Sequence, residues 1–249
     1  MDDMAMSLER AQEDEYALLG LTGRSVYRAF IFPAAGPADR QFLSLRALGP
    51  EQRQQWLEAW IYFLKSVAVR CEGHRVLLLK SPQHTARVRT ILSVFPNAKF
   101  VHLTRDPIAV FASTLRTWQA LCDTQGLQKP GSCNAWLIEN TLSTFEEMYA
   151  CYEEDKVLIP PGNLIDVRYE DLVSDPMKEV ARIYRTLGLG DLAGCETAMR
   201  SRLAETAGYR TGSVSVPPEL MAIVHERWGD YFERYGYRGR SAPTLKITA

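Results

Sequence analysis

The stretch Lys99-Phe-Val-His-Leu-Thr-Arg105-Asp-Pro-Ile-Ala-Val-Phe-Ala-Ser113 puts a guanidinium at the end of an apolar run and a hydroxyl on the segment that follows. Asp106-Pro107 reads as a helix start, with a side-chain acceptor at the cap and proline at the first helical position. On a 3.6-residue period positions 106, 110 and 113 share one face, so Ser113 stands within reach of whatever Arg105 holds. A planar fork of donors with a hydroxyl beside it suits a phosphate. The competing reading pairs Arg105 with a carboxylate and turns Ser113 to solvent.

These residues need elements to hold them. Residues 1 to 49 read as helix then loop. Pro50 and Glu51 open an amphipathic helix with apolar positions Leu57, Ile61, Leu64 and Ala68, ended by Gly73. Val76 to Leu79 reads as a strand closed by Lys80-Ser81-Pro82, followed by a helix from about Thr85 to Phe95. Lys99 to Thr104 gives a second strand, and a parallel pairing of the two would set Lys80 and Arg105 at one sheet edge, where α/β proteins bind ligands. Residues 134 to 153 are helical, Leu164 to Tyr169 is a further strand, and Asp175-Pro176 caps a helix that stops at Gly188. A last amphipathic helix carries Ile223, Val224, Trp228, Tyr231 and Phe232. The expected fold is α/β, a three-layer sandwich around a mostly parallel sheet. One domain over 1–249 is expected, with a flexible tail at 238–249.

Composition narrows the chemistry. With 29 basic and 30 acidic residues the formal net charge is −1, so no overall field draws in a nucleic acid. The apolar runs fall far short of the roughly 20 residues that span a bilayer. The start, Met1-Asp2-Asp3-Met4, lacks the pattern of a secretion signal, and a cytoplasmic location is expected. Five cysteines without a Cys-x-x-Cys pair read as reduced thiols. Four histidines show no metal-ligand spacing, so no metal is expected.

Four stretches in order carry a resemblance: Leu79-Lys80-Ser81-Pro82-Gln83-His84, Phe95-Pro96-Asn97-Ala98, Thr104-Arg105-Asp106-Pro107, and Val167-Arg168-Tyr169-Glu170-Asp171-Leu172. Together with the Arg105-to-Ser113 spacing they resemble the bacterial branch of the sulfotransferases that use 3′-phosphoadenosine 5′-phosphosulfate (PAPS), over about Arg75 to Leu187. The resemblance implies a P-loop-NTPase-like architecture, PAPS as co-substrate, and a small-molecule or glycan acceptor. It also implies Arg105 and Ser113 on the donor's 3′-phosphate. Such transfer needs a cation and a base. Lys80 fits the cation, and His84, whose ordinary pKa lies near neutrality, fits the base. Without the resemblance, Lys80 is a solvated strand end and His84 a helix-start histidine with a backbone partner. Arg210, in the Tyr209-to-Gly212 loop, is a further candidate contact to the donor, against its reading as a surface arginine. Glu170-Asp171 reads as a pair that caps backbone amides. Glu13-Asp14-Glu15 reads as a solvated helix face, with acceptor contact or an alternative base as the functional option.

The family's opening strand and its 5′-phosphosulfate loop are not seen. Gly20 to Ser25 follows no strand and lacks the lysine of a P-loop, and Gly188 to Ala193 follows a helix. A chain that starts after that loop is the favoured explanation, which predicts a sheet without its first strand. A non-catalytic derivative and a loop supplied by another chain are the others. A non-enzymatic nucleotide-binding module and a P-loop kinase or NTPase remain as competing functions.

Overall fold

Helix boundaries in this chain follow its local punctuation, and the computed structural model describes residues 12–70, 76–206 and 216–238. Helix α1 (Asp14–Thr22) ends at Gly23, whose φ of 65° lets its N–H reach the Leu19 carbonyl. That left-handed backbone favours glycine, which carries no Cβ. Next come the single turn α2 (Arg28–Ile31), the long α3 (Pro50–Arg70), α4 (Val88–Val94), strand β1 (Phe100–Thr104), α5 (Pro107–Gln125) and α6 (Leu137–Asp155). Strand β2 (Leu164–Arg168) runs directly into α7 (Tyr169–Ser174), followed by α8 (Pro176–Leu187), α9 (Ala193–Thr206), α10 (Pro218–Arg227) and α11 (Gly229–Arg234). None of the described helices is long and apolar enough to cross a membrane.

The chain packs as two compact units, Asp3–Thr90 with Thr114–Asp155, and Ile91–Ser113 with Lys156–Ala249. In the first, Tyr27, Phe30, Leu121, Cys122, Cys133 and Leu137 form a buried cluster edged by Trp118 and Trp136. Burial there, helped by the neighbouring Cys133, pushes the Cys122 thiol up to about 12, which leaves it unreactive at neutral pH. Helix α3 buries Trp56, Trp60 and Leu64, with the two indoles stacked at 5.5 Å. At Trp56 and Trp60 the buried stripe thus runs one position earlier than the expected Leu57 and Ile61, because the indoles contribute the largest apolar area, while Leu64 is buried as expected.

Arg87 ties this unit together. Its side chain is fully buried and donates to Glu15 Oε2 at 2.7 Å, to the Leu43 carbonyl at 3.0 Å and to the Phe42 carbonyl at 2.6 Å. The guanidinium also lies over the Trp56 ring, 4.9 Å from its centroid. Ser25 donates to the other oxygen of Glu15 at 2.5 Å. This anchoring coincides with a break in the helix expected over residues 85 to 95. The segment is a 3-10 turn at Pro82–Ala86 followed by α4, and Arg87 between them has φ −117° and ψ 17°.

The second unit holds the sheet. β1 and β2 pair in parallel, Phe100 opposite Leu164 through Thr104 opposite Arg168. Ile165 and Val167 face Leu187 of α8, with Ile183 and Leu172 beside them. On the opposite face His102 meets Tyr235 at 5.3 Å, in the chain that leaves α11. Helical chain on both faces of a parallel pair is the layered α/β arrangement that was expected. Asp175 accepts the Lys178 N–H at 3.1 Å, and Gly188, at φ 59°, ends α8, so both caps lie where their residue types require them. The last helix breaks in two at Trp228.

The expected strand at Val76–Leu79 is corrected. The segment has no regular secondary structure and no ladder partner among the described residues, and Leu78 is 93% exposed. Four apolar residues suit a strand, yet a strand exists only through a partner, and β1 takes β2 instead. Gly73 and the tail from residue 239 lie outside the described residues.

Arg87→Met, which leaves Glu15 buried without its counter-charge, should lower unfolding free energy by about 3–5 kcal/mol. Urea denaturation checks this as an earlier midpoint, and the Glu15→Leu/Arg87→Met double variant should lose less than the single.

Candidate functional sites in the two units

Glu13, Asp14 and Glu15, at the start of α1, each take one base from the segment that leads into α4. Lys80 pairs with Glu13, His84 with Asp14 and Arg87 with Glu15. Acids in consecutive positions thus meet bases at 80, 84 and 87, so Lys80 and His84, two of the residues singled out from sequence, come to one helix end. Lys80 keeps its ammonium largely in water, 75% exposed, while Tyr27 also donates its hydroxyl to Glu13. Burial, then the adjacent Glu13 charge, drives the Tyr27 phenol far above its ordinary range, so it stays a donor.

Asp14 is 3% exposed. Its Oδ2 accepts the Trp60 indole N–H at 2.8 Å and lies 2.9 Å from His84 Nε2. Burial alone would raise this carboxyl; the hydrogen bond and charge of His84, then Trp60 and Arg87, outweigh it and hold the carboxyl below its usual value of 3.8. The expectation of a solvated acidic face on residues 13 to 15 is therefore overturned, since Asp14 and Glu15 are both buried and paired. The backbone-partnered His84 of the alternative reading is not found either; its nitrogen goes to a carboxylate.

In the second unit Arg105 follows β1 and precedes α5. Its backbone is held by Tyr231, whose hydroxyl bridges the Arg105 N–H and carbonyl, each at 3.2 Å. The guanidinium stacks over the Tyr169 ring at 4.3 Å. It meets no carboxylate among the described residues. Asp106 caps α5 by accepting the Ala109 N–H at 2.9 Å, which sets the helix on which Ser113 sits, half-buried. No hydrogen bond joins Arg105 to Ser113.

Glu170 acts as a backbone clamp, which meets the reading of Glu170-Asp171 as caps for Glu170 alone. One oxygen accepts the Asp106 N–H at 3.0 Å and the other accepts the Tyr237 hydroxyl at 2.9 Å. It holds the neighbouring strand end rather than its own turn. Arg168 stacks on Tyr237 at 4.5 Å, with Nε and Nη2 buried and without partners among the described residues. The aromatic face supplies part of what those groups lost on leaving water. Arg210 lies outside the described residues.

Gly20 to Ser25 forms the end of α1 and the turn after it, which agrees with its rejection as a P-loop. Among the described residues no group of three or more His, Cys, Asp and Glu is placed to hold a metal. Trp60 was not picked out from sequence, Tyr169 appeared only within a family stretch, and Asp14 appeared only as one of the acidic triplet with acceptor contact or an alternative base as its functional option. The signal for Asp14 was available as three consecutive acids near the chain start and three bases at 80, 84 and 87, but only packing matches one set to the other.

The family model described as Sulfotransferase family matches residues 9–192. Omega-hydroxy-beta-dihydromenaquinone-9 sulfotransferase Stf3, from Mycobacterium tuberculosis and from Mycobacterium bovis, is 36% identical over 237 residues, 95% of this chain and 60% of the relative. The chain therefore spans about 60% of the length of the curated relatives it matches. Among solved structures, sulfotransferase STF9 from Mycobacterium avium superposes with a TM-score of 0.68 at 17% identity, over 90% of this chain and 55% of that one. Sulfotransferase STF1 from Mycobacterium tuberculosis H37Rv gives 0.66 at 17%, over 91% and 57%. At this identity the likeness shows the fold, an α/β architecture of the P-loop-like kind.

The depressed Asp14 carboxyl has a consequence for stability. A group whose folded pKa lies below its unfolded value stabilises the fold above the unfolded value and loses that contribution as pH falls through the folded one. The parent should exceed Asp14→Asn in stability at pH 7, and the gap should close as pH drops below 3.8, measured by urea unfolding at stepped pH.

Proposed function

Because the chain belongs to the sulfotransferase family, we propose that it transfers a sulfuryl group from PAPS to a hydroxyl or amine acceptor. In this reading Arg105 and Ser113 bind the donor's 3′-phosphate, Lys80 offsets charge on the transferring group, His84 takes the acceptor proton, and Arg210 adds a basic contact to the donor. No metal enters the reaction.

The observation that carries the reading is the Arg105 guanidinium. It is half-buried, oriented by Tyr169 and left without a carboxylate among the described residues. A guanidinium so placed keeps its fork of donors for an anion, and phosphate fits that fork in two-point fashion. Tyr231 and Glu170 fix the backbone around it, so little freedom is lost when the anion arrives.

Sulfuryl transfer forms a bond from the acceptor oxygen or nitrogen to sulfur while the sulfur–oxygen bond to the 5′-phosphate breaks. Adenosine 3′,5′-bisphosphate leaves, and the acceptor's proton passes to a base. Lys80 suits the charge that develops: its head is exposed and its ion pair with Glu13 is easily exchanged, because exposed pairs contribute little. The acceptor belongs to the small-molecule or glycan class. The name of the 36% identical relative, with its omega-hydroxy substrate, favours a hydroxyl over an amine.

Calorimetric titration of adenosine 3′,5′-bisphosphate into the 249-residue chain tests the reading. The parent should bind. Arg105→Ala should weaken binding by roughly tenfold to a hundredfold, and Ser113→Ala by roughly threefold to tenfold, the ranges for a charged and a neutral hydrogen bond. A folded parent that binds no bisphosphate sinks the proposal. Binding without conversion of PAPS would leave a nucleotide-binding module in its place, and a preference for ATP with Mg²⁺ would point to a kinase.

A further inference from the structure

Of the three acid–base pairs at the start of α1, the middle one is unlike its neighbours. Each guanidinium nitrogen of Arg87 has a partner in Glu15 or one of two carbonyls, and Lys80 keeps its head in water. His84 is held at one nitrogen only. Its Nε2 lies 2.9 Å from Asp14 Oδ2, while Nδ1 is buried and has no hydrogen-bonding partner among the described residues. Trp60 braces the pair from α3, with its indole N–H on the same Asp14 oxygen and its ring 6.0 Å from the imidazole.

The protonation pattern follows from the carboxylate. Asp14 is held below its usual value by His84, Trp60 and Arg87 against the opposing effect of burial, so it is ionised at neutral pH and can only accept. Neutral His84 must then carry its proton on Nε2, which leaves the bare lone pair on Nδ1. The other charges at the start of α1 are already matched. Glu15 is paired with Arg87, and Glu13 with Lys80 and the Tyr27 hydroxyl. Among the described residues Asp14 is the one carboxylate that the imidazole touches.

We propose that Asp14 is a positioning residue that fixes the His84 ring and makes Nδ1 the atom that receives the acceptor's proton during sulfuryl transfer. This rests on the sulfotransferase reading above. As the acceptor oxygen bonds to sulfur and the bisphosphate leaves with its electron pair, the acceptor's O–H proton moves to Nδ1. The imidazolium that results keeps its Nε2–H on Asp14, whose negative charge stabilises it. An oriented carboxylate–imidazole pair of this kind is the general way to hold a histidine in one tautomer.

The test combines nitrogen-15 NMR of the histidine side chains with conversion of PAPS to adenosine 3′,5′-bisphosphate, water serving as acceptor, both over a pH series on the full chain. In the parent, His84 should show the Nε2–H tautomer. Asp14→Asn should mix the tautomers. It should also slow conversion by roughly tenfold to a hundredfold. Asp14→Glu should recover part of both effects, and Trp60→Phe, which leaves the carboxylate in place, should give a smaller change of the same sign if Asp14→Asn folds poorly. Conversion by Asp14→Asn at the parent rate, or an Nδ1–H tautomer in the parent, overturns the inference. A folded parent that converts no PAPS overturns the catalytic role together with the reading beneath it, and the tautomer result then tells separately whether Asp14 orients the ring.

Discussion

The buried ion pair between Glu15 and Arg87 is the constraint on which the first unit turns. Two full charges at zero exposure are costly unless every donor is used, and Arg87 spends its donors on Glu15 and on the carbonyls of residues 42 and 43. The pair therefore tolerates few geometries. It locks the start of α1 against the turn that precedes α4, and the neighbouring pairs inherit that alignment. Asp14 precedes Glu15 by one residue and His84 precedes Arg87 by one short turn, so fixing the outer pair delivers the inner one. The candidate base is set by a neighbouring structural contact.

A similar economy governs the second unit. Glu170 leaves β2 and clamps the backbone where β1 becomes α5, while Tyr237 closes over its other oxygen. Burial, with the Glu170 charge adding to it, raises the Tyr237 phenol well above its usual range, so the hydroxyl remains a donor. Tyr169, adjacent to Glu170, lies under Arg105. The residue that braces the strand end and the residue that orients the guanidinium are therefore consecutive in the chain. An arginine with its stem and plane already oriented loses less freedom when an anion binds than a free surface arginine would.

Most of the local structure is legible in the sequence. β1, β2, α5 with its Asp106 cap and α8 between Asp175 and Gly188 follow from periodicity and capping residues, because their signals act over a few residues. The misreadings came where a distant contact overrode a local preference. Val76–Leu79 has strand composition but no ladder partner among the described residues, and the helix expected after it is interrupted where Arg87 is anchored to Glu15. Residues 13 to 15 look like a solvated acidic face because a sequence shows charge but not burial.

By itself, then, the sequence determined the α/β class, the family, the strand-end arginine and the helix that carries Ser113. Each of these is written in residue types at short, regular spacings. Only the tertiary structure decided that β1 pairs with β2, that Tyr169 backs Arg105, and that Asp14 holds His84. These depend on contacts between residues some 60 to 70 positions apart, as with β1 and β2 or Asp14 and His84, and no local pattern encodes which of several acids will meet which base. That choice is made by the cost of burying charge, which appears only when the chain is packed.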